Sequence, residues 1–64
     1  MKHNTELNPL TLKQRLQLAA EFVWRGVTQE RALEIVNDDI NHIMDVCYRI
    51  TGRPLISIVG PREN

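Results

Sequence analysis

The chain is 64 residues long, with one cysteine and equal numbers of basic and acidic side chains. That length holds one domain, and a chain this short buries only about 60% of the surface its unfolded form exposes. A single cysteine excludes an internal disulfide, no Cys/His cluster offers a structural zinc site, and zero net charge gives no general attraction to nucleic acid or anionic membrane.

The charge is unevenly spread. Residues 1–27 carry Lys2, Lys13, Arg15 and Arg25 against Glu6 and Glu21; residues 28–50 carry Arg31 and Arg49 against Glu30, Glu34, Asp38, Asp39 and Asp45. The first segment is net positive and the second net negative, which favours folding one onto the other. No apolar run is long enough to span a bilayer, and the first residues lack the apolar stretch of a secretory signal. With an unpaired cysteine, these features lead us to expect a cytosolic protein, in the bacterial host cytoplasm if phage-encoded.

Residues 1–9 read as a flexible arm ending in Asn8-Pro9. Thr11 is a good N-cap, and Gln14 three residues later completes a capping box. Apolar residues then recur at Leu12, Leu16, Ala19 and Val23, widened by Leu18, Ala20 and Phe22, which predicts a helix over 12–25. Gly26 stops it, and Thr28 caps the next helix, with Glu30 in its first turn. So short a connection makes the two helices neighbours, as a hairpin.

The second helix is the strongest pattern in the chain. Leu33, Val36, Ile40, Ile43, Cys47 and Ile50 follow 3-4-3-4-3 spacing, a coiled-coil-like seam predicting one continuous helix over 29–51. Met44 and Val46 flank the seam, and Tyr48 lies near its end. A fourteen-residue first helix covers only part of this longer one. That mismatch predicts a homodimer, with Leu33, Val36, Ile40, Ile43, Met44, Cys47, Tyr48 and Ile50 packing within and between chains. Gly52 and Pro54 end the helix. Leu55–Val59 is β-branched and short, so it reads as an extended strap, followed by a polar tail over 60–64. The fold class expected is therefore all-α, a helical hairpin with an extended C-terminal segment.

No constellation carries catalysis, a cofactor or a metal. Cys47 sits on the seam, where a small buried hydrophobe is the better reading than a nucleophile. His42 has Asp38 and Asp45 at helical spacing but no further histidine or cysteine ligand. Asp38 and Asp39 are adjacent, so on a helix they point about 100° apart and cannot face one substrate. Trp24 reads as a lid on the core, or, if exposed, as a partner contact. The alternative to an interaction protein is a helix-turn-helix-like DNA-binding regulator, suggested by Ala20, Gly26, Val27, Thr28, Ala32 and Ile35. Glu21 and Arg25 fall where that motif needs apolar residues, and only Arg31 is clearly placed to contact DNA, so nucleic acid is an unlikely partner.

The run Leu12-Lys13-Gln14-Arg15-Leu16 through Val23-Trp24-Arg25-Gly26-Val27, with the ending Tyr48-Arg49-Ile50-Thr51-Gly52-Arg53-Pro54-Leu55, resembles a family of small accessory proteins of lambdoid temperate phages, from the early region near the exonuclease and excisionase genes. The resemblance spans roughly residues 10–59. It implies an early protein that adjusts phage development or host physiology by binding a host or phage protein, and it implies no catalytic residues.

Overall fold

The computed structural model describes residues 8–60, and it is all-helical over that span: α1 (Leu12–Trp24), α2 (Gln29–Val36), α3 (Ile40–Thr51) and α4 (Ile56–Val59). Residues 1–7 of the expected arm and 61–64 of the expected tail lie outside the described residues.

Helix α1 begins as the sequence requires. The Gln14 N–H donates to Thr11 Oγ1 (3.1 Å) and the Thr11 N–H donates to Gln14 Oε1 (3.0 Å), so the capping box closes in both directions. It ends in a Schellman turn. The Val27 N–H donates to the Phe22 carbonyl and the Gly26 N–H to that of Val23, with Gly26 at φ 99°. In this turn the residue after the glycine packs back on the last helical turn, and Val27 does pack against the core that contains Phe22. Thr28 then caps α2 by accepting from the Arg31 N–H. The hairpin of α1 and α2 is the most extensive helix–helix contact among the described elements.

The turn also decides which face of α1 is inward, and here the expected stripe is corrected. The buried residues are Gln14, Leu18, Ala19 and Phe22, whereas Leu12 is 71% exposed and Leu16 and Val23 are exposed as well. Helix α1 carries apolar residues on two arcs. Phe22 and Leu18, aligned one turn apart, face α2 because the Schellman geometry points that arc across the hairpin.

The continuous second helix is corrected too. It breaks after Val36, and α3 restarts at Ile40. Asn37 Nδ2 donates to the Leu33 carbonyl (2.9 Å), Asp38 Oδ1 accepts from the Asp39 N–H (2.7 Å), and Asp39 caps α3 by accepting from the Asn41 N–H (2.7 Å). Three short polar side chains in a row offer the backbone partners other than its own ladder, which favours caps over helix interior. Breaking the helix lets α3 fold onto the hairpin, where Ile43 and Cys47 become fully buried beside Leu18, Phe22, Ala32, Ile35 and Val36.

The expected strap is also helical. Ile56–Val59 forms one turn, with the Ile58 and Val59 N–H groups donating to the Leu55 carbonyl and Ser57 Oγ to that of Pro54 (2.8 Å). A lone extended segment would leave its backbone groups without partners, and a helical turn satisfies them locally.

Candidate interaction surface

The first residues of the described chain are not a loose arm. Asn8 is buried and donates from Nδ2 to the Val36 carbonyl at 3.0 Å, while its Oδ1 accepts from the Leu10 N–H at 3.3 Å. Arg15 reinforces the clasp. Its guanidinium donates to the carbonyls of Leu10 (3.2 Å) and Asn8 (3.4 Å) and to Asn37 Oδ1 (2.9 Å). Pro9 and Leu10 are thereby held beside the start of α3.

At the other end of α3, Gly52 takes the left-handed conformation at φ 73°, and its N–H donates to the Tyr48 carbonyl. Thr51 Oγ1 donates to the Cys47 carbonyl (2.7 Å) and accepts from the Arg53 N–H (3.1 Å). The chain turns through Pro54 and lays α4 across the molecule.

These two arrangements enclose an open groove of about 480 Å³. One wall is Pro9 and Leu10, another is Ile40 and Met44 of α3, and the third runs from Pro54 through Leu55, Ile56 and Val59 to Gly60. Not one of these side chains ionises. Met44 and Ile56 stand at the rim, 44% and 61% exposed, and Tyr48, one turn beyond Met44 on α3, is 61% exposed. The groove can hold apolar side chains; it has no group able to transfer a proton or attack a substrate.

The residues expected to pack within and between chains therefore divide. Val36, Ile43 and Cys47 are enclosed within a single copy, so they are unavailable to a partner while the fold is closed. Ile40 and Ile50 are half-buried against the core, whereas Leu33, Met44 and Tyr48 are exposed. The length mismatch that predicted a homodimer vanishes with the broken helix. Trp24 is no lid: at 84% exposed it projects from the end of α1 and is open to a partner. Arg31 is exposed and paired with Glu34 at 3.1 Å on its own helix.

Burial pushes the Cys47 thiol up from its ordinary value; the Thr51 hydrogen bond opposes that shift more weakly. The thiol donates to the Arg53 carbonyl oxygen at 3.7 Å. It is a packed core group, as its seam position suggested. His42 Nε2 lies 3.8 Å from Asp38 Oδ2, but no three metal-ligating side chains converge among the described residues. The ion pairs found there each join residues three or four apart, so among the described residues opposite charges do not stitch the two halves together. The cross-link that does so, from Asn8 and Arg15 to the α2–α3 turn, had no signal in charge patterning. The C-terminal wall of the groove was visible as an apolar run but not as a helix.

No family model, no curated protein and no solved structure matches the chain.

Proposed function

We propose that this chain is a non-enzymatic interaction protein whose groove between α3 and α4 receives an apolar helical segment of a partner protein. The groove carries the reading: about 480 Å³ of open space walled by side chains that do not ionise. Its rims repeat at helical spacing, Ile40 and Met44 on α3 against Ile56 and Val59 on α4, and such paired ridges suit an amphipathic helix laid between them. In the setting that the lambdoid resemblance implies, the partner is a host or phage protein met early in infection. The test is photo-crosslinking in bacterial lysate from a photoreactive residue at position 44 or 56, with position 16 on α1 as control. One discrete adduct from both groove positions, competed away by unlabelled chain and lost in a Met44→Asp/Ile56→Asp protein, supports the reading. Equal adducts from position 16, or none from the groove, count against it.

A second reading, DNA binding, is favoured by one observation: an eight-residue helix, a short turn and a twelve-residue helix have helix-turn-helix proportions. The charge of that unit opposes it. Its surface carries Glu30, Glu34, Asp38, Asp39 and Asp45 against Arg31 and Arg49. Duplex DNA binding that weakens steeply with added salt would favour this reading, and no binding at low salt would remove it.

A further inference from the structure

The apolar seam does not notice the break between α2 and α3. Val36 and Ile40 flank it at a spacing of four, so Leu33 and Val36 stay in helical phase with Ile40, Ile43, Cys47 and Ile50. The three residues between, Asn37, Asp38 and Asp39, include neither glycine nor proline. Nothing in their covalent structure forbids a helix.

What keeps the chain bent is a set of side chains standing in for the ladder. In a continuous helix the Leu33 carbonyl would take the Asn37 N–H; here it takes Asn37 Nδ2. The Val36 carbonyl would take the Ile40 N–H; here it takes Asn8 Nδ2. The Asn41 N–H would reach the Asn37 carbonyl; here it reaches Asp39 Oδ1. Bent and straight forms thus satisfy these three backbone groups with alternative partners. At Asp39 the change is confined to one dihedral angle. Asn37 sits at φ −100°, ψ 6°, and Asp39 already has a helical φ of −60°, with only its ψ of 141° extended. Turning that ψ by roughly 180° brings Asp39 to helical values.

Straightening would lift α3 and α4 from the hairpin and uncover Leu18, Phe22, Ala32 and Ile35 on one side and Ile43 and Cys47 on the other. The surface that fits each bare face is already known, because it is the one packed there in the closed chain. A second copy supplies both.

We propose that residues 37–39 are a hinge, and that the α1–α2 core face is an interaction surface for α3–α4 of a second copy, giving a two-fold, domain-swapped dimer around a fused helix over 29–51. Such an exchange re-forms the contacts of α3 and α4 with the hairpin between chains instead of within one, so the hinge, the Asn8 and Arg15 bonds that hold it and the chain concentration set the balance. The dimer is independent of what occupies the groove.

The test compares the wild type with Asp38→Ala/Asp39→Ala, which replaces the α3 N-cap and the turn aspartate before it with the best helix former, and with Asp38→Gly, which disfavours a helix through the hinge. Light scattering across a concentration series reads the mass. Isotope-filtered NOEs in a mixture of labelled and unlabelled chains read whether Ile43 touches the hairpin core of its own chain or of the other. The expected result is dimerisation tightened roughly tenfold or more in the double-alanine protein, weakened in the glycine variant, with Ile43 contacts between chains. If the double variant does not fold, Asp38→Ala alone, which leaves the Asp39 cap in place, takes its part. A single-copy mass at millimolar concentration, or a dimer whose Ile43 contacts stay within one chain, overturns the proposal.

Discussion

The two turns that shape the core are built from different materials. The turn between α1 and α2 is set by the backbone of Gly26, whose φ of 99° other residues rarely adopt. The turn between α2 and α3 is set by side chains: Asn37, Asp38 and Asp39 within it, and Asn8 and Arg15 reaching in from outside. The glycine turn is closed by backbone bonds within its own six residues, from Phe22 to Val27. A side-chain turn persists only while its partners are present, and the same residues have a second acceptable conformation. The first turn is therefore a fixed feature of the chain and the second a conditional one.

The largest expected effect tests the core both turns serve. Phe22 is fully buried on α1, and Phe22→Ala should cost about 3–5 kcal/mol. For a chain this small that is most of its stability, so thermal unfolding followed by circular dichroism should show an early, broad transition or none. Ile43→Asp, which buries an unpaired charge on α3, should unfold the closed chain just as completely. A protein that tolerated Ile43→Asp but not Phe22→Ala would show that the hairpin folds without α3.

Next comes the fixed turn. No atom lies within 4 Å of a Cβ placed on Gly26, so Gly26→Ala meets no clash and isolates the conformational cost. That cost should be about 1–3 kcal/mol, read from the denaturant midpoint with an unchanged m-value. A loss well below this would mean that the turn yields, and the contrast between the two turns would fail.

The same contrast explains what the sequence disclosed. Thr11 with Gln14, Gly26, Thr28 and Gly52 act locally, through groups one to four residues away, and each was legible in the letters. Periodicity found the seam because Val36, Ile43 and Cys47 are core. It could not find the break, since the helical phase continues across it and Asn8, which holds it, is 28 positions away from Val36. Nor could it choose between the two apolar arcs of α1, because that choice depends on where Val27 packs. The C-terminal segment is helical rather than extended for a related reason: β-branched composition records a preference, and no strand among the described residues is there to pair with it. Of the groove, one wall could be seen as an apolar run; the other two exist only once the clasp and the break bring Leu10 beside Ile40.

The conditional turn should respond to a residue far from it in sequence. Asn8→Ala removes the donor from the Val36 carbonyl and should cost about 1–2 kcal/mol. Hydrogen exchange should quicken first in residues flanking the break rather than across the hairpin. Uniform quickening would place the clasp's contribution in the whole fold instead of the hinge.

Cys47 reports the same opening chemically. Its thiol is enclosed and pushed above its ordinary 9.0 by burial, so alkylation should require α3 to lift, and Asn8→Ala should accelerate it. The sign of the pH effect follows from linkage. Above pH 9 the unfolded thiol ionises before the folded one, so the folded state binds more protons there. Stability from this group is fully present below pH 9 and falls as pH rises towards the folded value. Cys47→Ala should remove that alkaline decline; its persistence would assign the decline to other groups.

The smallest effect belongs to Trp24. It is the only tryptophan in the chain, it is the last residue of α1 before the fixed turn, and it is 84% exposed. A side chain so placed contributes little to folding, and Trp24→Ala should shift stability by no more than about 0.5 kcal/mol. Its indole emission in the native protein should resemble that of the unfolded chain, because water already surrounds it. If the partner that fills the groove also covers the end of α1, that emission should move to shorter wavelength on binding, and Trp24→Ala should weaken the complex while leaving the free protein's unfolding curve in place. An alanine variant that unfolds early would return Trp24 to the core, and with it the view that α1 ends in a covered rather than an open face.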